Sequence, residues 1–217
     1  MKLANPWNDV YKQQGYVFKD PYSGFSNYVQ KLAQLHSKVV LDLGCGTGRH
    51  AVPLATLGYD VHAFDISSSG VDLLDRLANT AHLGEGQIKA IIADMFEPFP
   101  YQDKFFDSVI AIAVIYHGTL YNVAKTIKEI ARVLKPGGLF YFTTSFSLDI
   151  SKKVNHGSEY ILIEPGTYLP MDGREKYLVH HYFTKEELFE ILSADFDTIS
   201  VSLDDTNSYY EIYCYKK

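Results

Sequence analysis

The sequence predicts an α/β fold built on a mostly parallel sheet with helices on both faces. Short apolar, β-branched runs recur along the chain, and amphipathic helical patterns separate them. The segment Val39–Gly48, Val-Val-Leu-Asp-Leu-Gly-Cys-Gly-Thr-Gly, turns from such a run straight into a loop with glycines at alternate positions. Alternation of strand and helix favours parallel pairing, because each crossover helix must pack back onto the sheet it left.

The elements follow in order. An aromatic amino-terminal stretch leads into a helix over Tyr22 to His36 and a first strand over Lys38 to Leu43. A helix is expected from Thr47 to Leu57, bent or late in starting, because Pro53 in mid-helix would remove a hydrogen bond and crowd the preceding turn. A strand from Tyr59 ends at Asp65, and Ser67 caps a helix running to His82. Strands follow at Gln87 to Ala93 and Asp107 to Ala113, then a helix at Tyr121 to Leu134 and a strand at Leu139 to Thr144. A helix at Lys185 to Ala194 and two strands, Asp197 to Leu203 and Tyr209 to Tyr215, close the pattern. The turn Asp204-Asp205-Thr206-Asn207 makes those two a hairpin, which supplies one antiparallel strand.

One stretch breaks the rhythm. Phe146 to Phe183 separates the fifth strand from the last helix by about 38 residues, whereas such loops usually run ~2–6. Ile161-Leu162-Ile163 and Tyr177-Leu178-Val179 read as short strands within it. Ligands of parallel sheets sit at the carboxyl ends of the strands, so this insertion, 146–183, is expected to fold over a ligand as a cap for a second molecule. It carries His156, Glu159, Tyr160, Glu164, Tyr168, Arg174, Tyr177, His180 and His181. Packing of the sheet edge is the competing role.

Composition bounds the function. The 217 residues suit a single domain, 47% are hydrophobic and 21% charged, as in folded globular chains. No apolar stretch approaches the ~20 residues that cross a bilayer, and the amino terminus lacks the apolar core of a signal peptide. Cys45 and Cys214 make no disulfide framework, so a reducing cytoplasm is expected. Twenty Lys plus Arg against twenty-six Asp plus Glu give a net charge of −6. A chain that grips a phosphate backbone needs a basic face, so nucleic acid is not the expected partner; membranes are likewise excluded, and oligomeric state is left open.

The glycine loop decides the chemistry. A dinucleotide fingerprint requires Gly-x-Gly-x-x-Gly, and Arg49 stands at its third glycine position. The glycines fall instead at Gly44, Gly46 and Gly48, behind Asp42. Asp65 ends the next strand about 20 residues on, where a carboxylate can accept ribose hydroxyls. Ile88 to Ile92 leads into Ala93-Asp94-Met95; Phe105 to Ile110 and Val133-Leu134-Lys135-Pro136-Gly137-Gly138-Leu139 follow. Together these segments resemble the class I S-adenosylmethionine-dependent methyltransferases over roughly residues 38 to 145.

The resemblance implies a Rossmann-like, doubly wound seven-stranded sheet of order 3-2-1-4-5-7-6. It implies that Gly44, Gly46, Thr47 and Gly48 cradle the methionyl portion of S-adenosylmethionine, with Asp42 at its ammonium end. Asp65 would accept the ribose hydroxyls, with a helix cap as its competing role. Asp94 and Met95 would take the adenine edge, Ile66 and Phe96 would flank the base, and Ala113 would contribute a carbonyl. Tyr11 and Tyr16, with Tyr28, belong to an amino-terminal segment, 1–37, that resembles the part closing over the cofactor in small-molecule methyltransferases.

Methyl transfer from a sulfonium is an in-line displacement with a neutral leaving group, so it needs alignment first and a base only if the acceptor carries a proton. His117, in Val114-Ile115-Tyr116-His117-Gly118, stands where the family places substrate-facing residues; it and Tyr116 are the candidate catalytic pair. The Asn/Asp-Pro-Pro-Tyr signature of amino-directed nucleic-acid enzymes is absent, replaced by Ala113-Val114-Ile115-Tyr116. His180-His181 with Glu159 and Glu164 suggests a metal, yet adjacent histidines on a strand point to opposite faces. His180, His181 and Glu159 are therefore expected to line the acceptor pocket, with no metal. The expected activity is methyl transfer to a small-molecule acceptor; a non-catalytic S-adenosylmethionine sensor, a macromolecule methyltransferase and an NAD-dependent oxidoreductase are the alternatives.

Overall fold

The computed structural model describes residues 6–146 and 159–217. Residues 1–5 and 147–158, with His156 and the first part of the expected cap, lie outside the described residues.

A seven-stranded sheet forms the centre, from β1 (Val39–Leu43), β2 (Asp60–Asp65), β3 (Gln87–Ile92), β4 (Phe106–Ala111), β5 (Leu134–Thr144), β9 (Phe196–Leu203) and β10 (Tyr210–Lys216). Their order is β3-β2-β1-β4-β5-β10-β9. Neighbours from β3 to β5 pair parallel, and β10 runs antiparallel to both β5 and β9. Numbered within the sheet this is 3-2-1-4-5-7-6 with one reversed strand, the expected topology.

Period-two alternation divides the core. Leu41, Leu43, Val109, Phe140 and Phe142 face one layer with α5 (Leu120–Val133) and α6 (Lys185–Leu192). Val40, Val61, Ala63, Ile110 and Tyr141 face the other, with α2 (Phe25–Gln34), α3 (Ala51–Thr56) and α4 (Ser68–Thr80). A strand buried on both faces reads as a continuous apolar run, which is why β1 stood out in the sequence. Asp42 is the one charge in it, and only 1% of its surface is exposed.

Local chemistry moves several boundaries. α3 starts at Ala51, so Pro53 falls in its first turn, where an amide hydrogen has no helical partner to lose. Thr184, Thr119 and Ser67 cap their helices through side-chain oxygens, Thr184 in a full capping box with Glu187. β5 begins at Leu134, five residues before the expected Leu139. It pairs Phe106 with Leu134, loops out through Lys135–Gly138 and resumes with Ser108 against Leu139. The aromatic amino terminus holds a helix, α1 (Pro6–Gln14), opened by a proline at its first position.

The insertion builds a second, three-stranded sheet from β6 (Tyr160–Glu164), β7 (Thr167–Pro170) and β8 (His180–His181). β6 contains the expected Ile161–Ile163 strand. Tyr177–Val179 is not a strand: Tyr177 turns at φ 66, and the pairing residues are the next two, His180 and His181. Glu164 anchors this sheet by accepting the amide of Leu120 at 2.9 Å, at the start of α5.

Candidate functional site

The carboxyl ends of β1, β2, β3 and β4 open into one cavity of about 1440 Å³. A single ligand pocket usually measures ~300–1,000 Å³, so the volume admits a cofactor and a second molecule together.

The glycine loop forms one wall. Gly44 and Cys45 donate their amide hydrogens to the Phe64 carbonyl at 2.8 and 3.1 Å, which ties the loop to the end of β2. Gly44, Gly46 and Gly48 have φ of 68, 52 and 88, so the loop is shaped by residues that tolerate the left-handed region. A Cβ on Gly44 would collide with Val114, and one on Gly46 would lie 2.6 Å from the Tyr11 hydroxyl. Gly44, Gly46 and Thr47 line the cavity, whereas Gly48 packs against Leu74 behind it.

Asp65 is buried and accepts two amides, Gly46 at 2.9 Å through Oδ2 and Ser67 at 2.8 Å through Oδ1. Burial pushes its carboxyl above the usual range while those amides pull it back. It is not the cap of α4, a role taken by Ser67, whose Oγ accepts from Gly70. Ile66 is half exposed at the mouth beside Ile92, Asp94, Met95 and Phe96. Asp94 Oδ1 accepts from the Phe96 amide, which fixes that turn. Ala113 holds φ 59, a conformation an L-residue rarely adopts, and its amide donates to Thr143 Oγ1 at 2.9 Å. Strain of this kind collects at binding sites.

Asp42 lies under the loop rather than in the cavity wall. Burial pushes its carboxyl up to about 7, against the pull of Arg49 and the Ala51 amide. Its Oδ2 has no partner among the described residues. An orphaned buried carboxylate oxygen beneath a cradle of left-handed glycines fits the cationic end of S-adenosylmethionine. The exposed apolar Ile66 and Ile92 fit its adenine ring.

α1 closes the cavity from above. Asn8 Oδ1 accepts from Ser67, Ser68 and Ser69 at 3.0–3.3 Å, pinning α1 across the start of α4. Trp7, Tyr11 and Phe18 turn their rings inward, and Arg49 stacks on Phe18 at 5.0 Å. Tyr16 points elsewhere, donating to the Leu73 carbonyl on the outside of α4.

The far wall comes from the turn after β4 and from the insertion. Tyr116 is buried, with its hydroxyl held protonated by burial. Its ring packs edge-on against His117 at 4.5 Å and His180 at 5.4 Å. Glu175 joins the two histidines, 3.3 Å from His117 Nε2 and 3.4 Å from His180 Nε2. The His180-His181 pair divides as strand geometry requires. His180 faces the cavity, and His181 is fully buried behind it with Nδ1 2.7 Å from Thr167 Oγ1. Glu159 is exposed and outside the cavity, so of the three expected acceptor residues only His180 reaches it. Sequence reasoning missed Glu175, which sits in the charged run Asp172-Gly173-Arg174-Glu175-Lys176 and reads there as a solvated turn.

Residues 41–142 match the methyltransferase-domain family. The chain is 29% identical over 206 residues to a ubiquinone biosynthesis O-methyltransferase of Bradyrhizobium diazoefficiens, covering 88% of this chain and 77% of that one. It is 34% identical over 109 residues to an O-methyltransferase of Aspergillus nomiae, covering 50% of this chain and 47% of the relative. The chain spans about half the length of curated relatives it matches, at 47% and 43% for two of them. A solved S-adenosylmethionine-dependent methyltransferase from Methanosarcina mazei superposes with a TM-score of 0.71 at 26% identity, over 91% of this chain and 98% of that one. With this sheet order, this glycine cradle and these relatives, residues 41–142 of the chain form a methyltransferase domain of the class I S-adenosylmethionine-dependent type.

Proposed function

We propose that the chain transfers a methyl group from S-adenosylmethionine to a hydroxyl oxygen of a small-molecule acceptor. The observation that carries this reading is the single cavity with two unlike halves: glycine loop, Asp65 and Ile66 on one side, Tyr116, His117 and His180 on the other. Relatives named O-methyltransferases support oxygen as the acceptor atom. An acidic chain of net charge −6 supports a small molecule over a nucleic acid.

Each residue has a task in this reading. Gly44, Gly46 and Thr47 present backbone to the methionyl portion, and Asp42 supplies charge beneath them. Asp65 keeps free lone pairs beside its two amide bonds and accepts the ribose hydroxyls. Asp94 and Met95 address the adenine edge, Ile66 and Phe96 cover its faces, and Ala113 offers a carbonyl. Tyr11, with Trp7, excludes water from above. When bound, the cofactor supplies a methyl on a positively charged sulfur. His117 and Tyr116 hold the acceptor oxygen in line, which is where most of the rate enhancement of a displacement arises. The insertion, through Tyr160, Asp172, Glu175 and His180, closes the acceptor side.

Incubation with methyl-labelled S-adenosylmethionine and a panel of hydroxylated aromatic and aliphatic compounds tests this. Label is expected in an alkali-stable ether of one compound class. Binding of the cofactor with no transfer to any member, or transfer only to added tRNA, overturns it. Among the described residues no helix is long and apolar enough to cross a membrane.

A further inference from the structure

His117, Glu175 and His180 come from three separate places in the chain: the turn after β4, the turn after β7 and the start of β8. Their nitrogen and carboxylate atoms nevertheless lie within 4.8 Å of one another. The imidazoles stack at 4.9 Å between centroids, inclined by 27°, so both Nε2 edges approach the same carboxylate. Backbone contacts fix this arrangement: the His181 amide donates to the Tyr116 carbonyl at 2.8 Å, locking β8 against the turn that carries His117. Tyr116 braces both rings.

Each of the three groups offers one ligand atom, and these atoms are already gathered within 4.8 Å. His117 Nε2 lies 3.3 Å from Oε1 of Glu175 and His180 Nε2 3.4 Å from its Oε2, so the imidazoles approach the two oxygens of one carboxylate. A tetrahedral ion bound at ~2.0–2.1 Å by nitrogen and oxygen sets its ligand atoms about 3.3–3.4 Å apart, a spacing these side chains reach by small rotations toward a shared ion. Two imidazoles and one carboxylate form the three-ligand set that leaves a fourth position open, and imidazole nitrogen suits zinc-like divalent ions. Two neutral imidazoles with one carboxylate leave a net charge of about +1 on such an ion, which favours an oxygen anion at the open position.

We propose that His117, Glu175 and His180 form a binding site for one zinc-type divalent cation whose open position faces the cavity and takes the hydroxyl oxygen of the acceptor. The acceptor part of this proposal rests on the function proposed above; the cation site does not. A bound divalent cation lowers the pKa of coordinated water from 15.7 to about 7, and a coordinated hydroxyl responds in the same direction. The hydroxyl proton passes to solvent, the oxygen forms the new bond to the methyl carbon, the carbon–sulfur bond breaks and its electron pair stays on sulfur. No oxidant or reductant is needed.

The test uses the full chain, stripped with a chelator and titrated with Zn²⁺ by calorimetry and with Co²⁺ by visible absorption. A parallel titration with S-adenosylmethionine reports the other half of the cavity. One ion per chain is expected, with a dissociation constant of about 1 μM or tighter and the intense ligand-field bands of four-coordinate cobalt. Glu175→Gln and His180→Ala should each weaken binding at least about tenfold, and Asp103→Asn, an exposed carboxylate elsewhere, should leave it unchanged. Glu175 is partly exposed, so its glutamine variant is the one expected to keep the fold intact. Zinc binding no tighter than in a Glu175→Gln/His180→Ala double variant, in a wild-type chain that still binds S-adenosylmethionine, overturns the cation site. Zinc binding with no S-adenosylmethionine binding upholds the site and overturns the methyl-transfer reading instead.

Discussion

Asp65 Oδ2 accepts the amide hydrogen of Gly46 at 2.9 Å, so the carboxylate that ends β2 also sets the shape of the glycine loop that ends β1. One side chain thereby couples two parts of the cofactor cradle. Asp65→Ala is expected to weaken S-adenosylmethionine binding at least about tenfold, or 1.4 kcal/mol. It should also lower stability by about 1–3 kcal/mol, because the Gly46 and Ser67 amides lose their acceptor. Calorimetric titration and chemical denaturation measure the two effects; unchanged affinity would remove Asp65 from the cofactor site.

Asp42 predicts a pH dependence whose sign follows from burial. Its folded-state carboxyl titrates near 7, against about 3.9 in an unfolded chain. Between those values the folded state holds a proton that the unfolded state has lost. Asp42's contribution to the stability of the ligand-free protein should therefore fall as pH rises from about 4 to 7, by at most ~1.4 kcal/mol per pH unit, and level off above. Asp65, shifted in the same direction, contributes with the same sign, whereas the buried His50, His62 and His181, pushed down by burial, contribute with the opposite sign below about 6.5. The Asp42 part is therefore read as the difference between wild type and Asp42→Asn in denaturation midpoints at several pH values: the stability of wild type relative to the variant should fall from about pH 4 to 7. A difference that does not change with pH, or that rises, would contradict the burial argument.

Gly46 and Tyr11 should be energetically coupled. A methyl on Gly46 meets the Tyr11 hydroxyl and also sits at φ 52. Gly46→Ala is expected to cost about 1–3 kcal/mol of stability. In the Gly46→Ala/Tyr11→Ala double variant the steric part disappears, so the double-mutant cycle should show a coupling of about 0.5–3 kcal/mol. Strict additivity would mean that α1 does not rest on the loop in solution.

His117 and His181 should separate function from packing. His117→Ala is expected to reduce turnover by about 10² or more while cofactor affinity stays within about twofold. His181→Ala, which leaves the buried Thr167 hydroxyl without its 2.7 Å partner, is expected to cost about 2 kcal/mol of stability with no change in cofactor affinity. Equal turnover for wild type and His117→Ala would return His117 to a structural role.

The cofactor half was legible because it is local in sequence. Parallel strands deliver their carboxyl ends to one edge, so Gly44–Thr47, Asp65 and Asp94-Met95, each next to a readable strand end, had to share one cavity. The sheet order was legible through resemblance, since the alternation of elements fixes parallel pairing without fixing which strands are neighbours. The acceptor half was not. Glu175 lies in a charged turn and meets His117 across 58 positions of chain, a contact no periodicity encodes. Strand alternation did anticipate that His180 and His181 would part company, but not which acid His180 would meet: Glu175 lies beside it, while Glu159 is exposed and Glu164 accepts the amide of Leu120. The start of β5 was hidden because the looped-out Lys135-Pro136-Gly137-Gly138 reads as a turn before a strand, not as an interruption within one. α1 was missed because its single inward stripe, Trp7 and Tyr11, one helical turn apart, has no second turn to repeat it.

S-adenosylmethionine is the ligand of this cavity, and thermal unfolding with S-adenosylmethionine, S-adenosylhomocysteine and NAD each in excess is the measurement that decides it. A ligand at ~100 times its dissociation constant adds about 2.7 kcal/mol of stability. Tm is expected to rise clearly with the first two and not with NAD. A rise with NAD alone would contradict it and make Arg49 an accommodated third position of a dinucleotide loop.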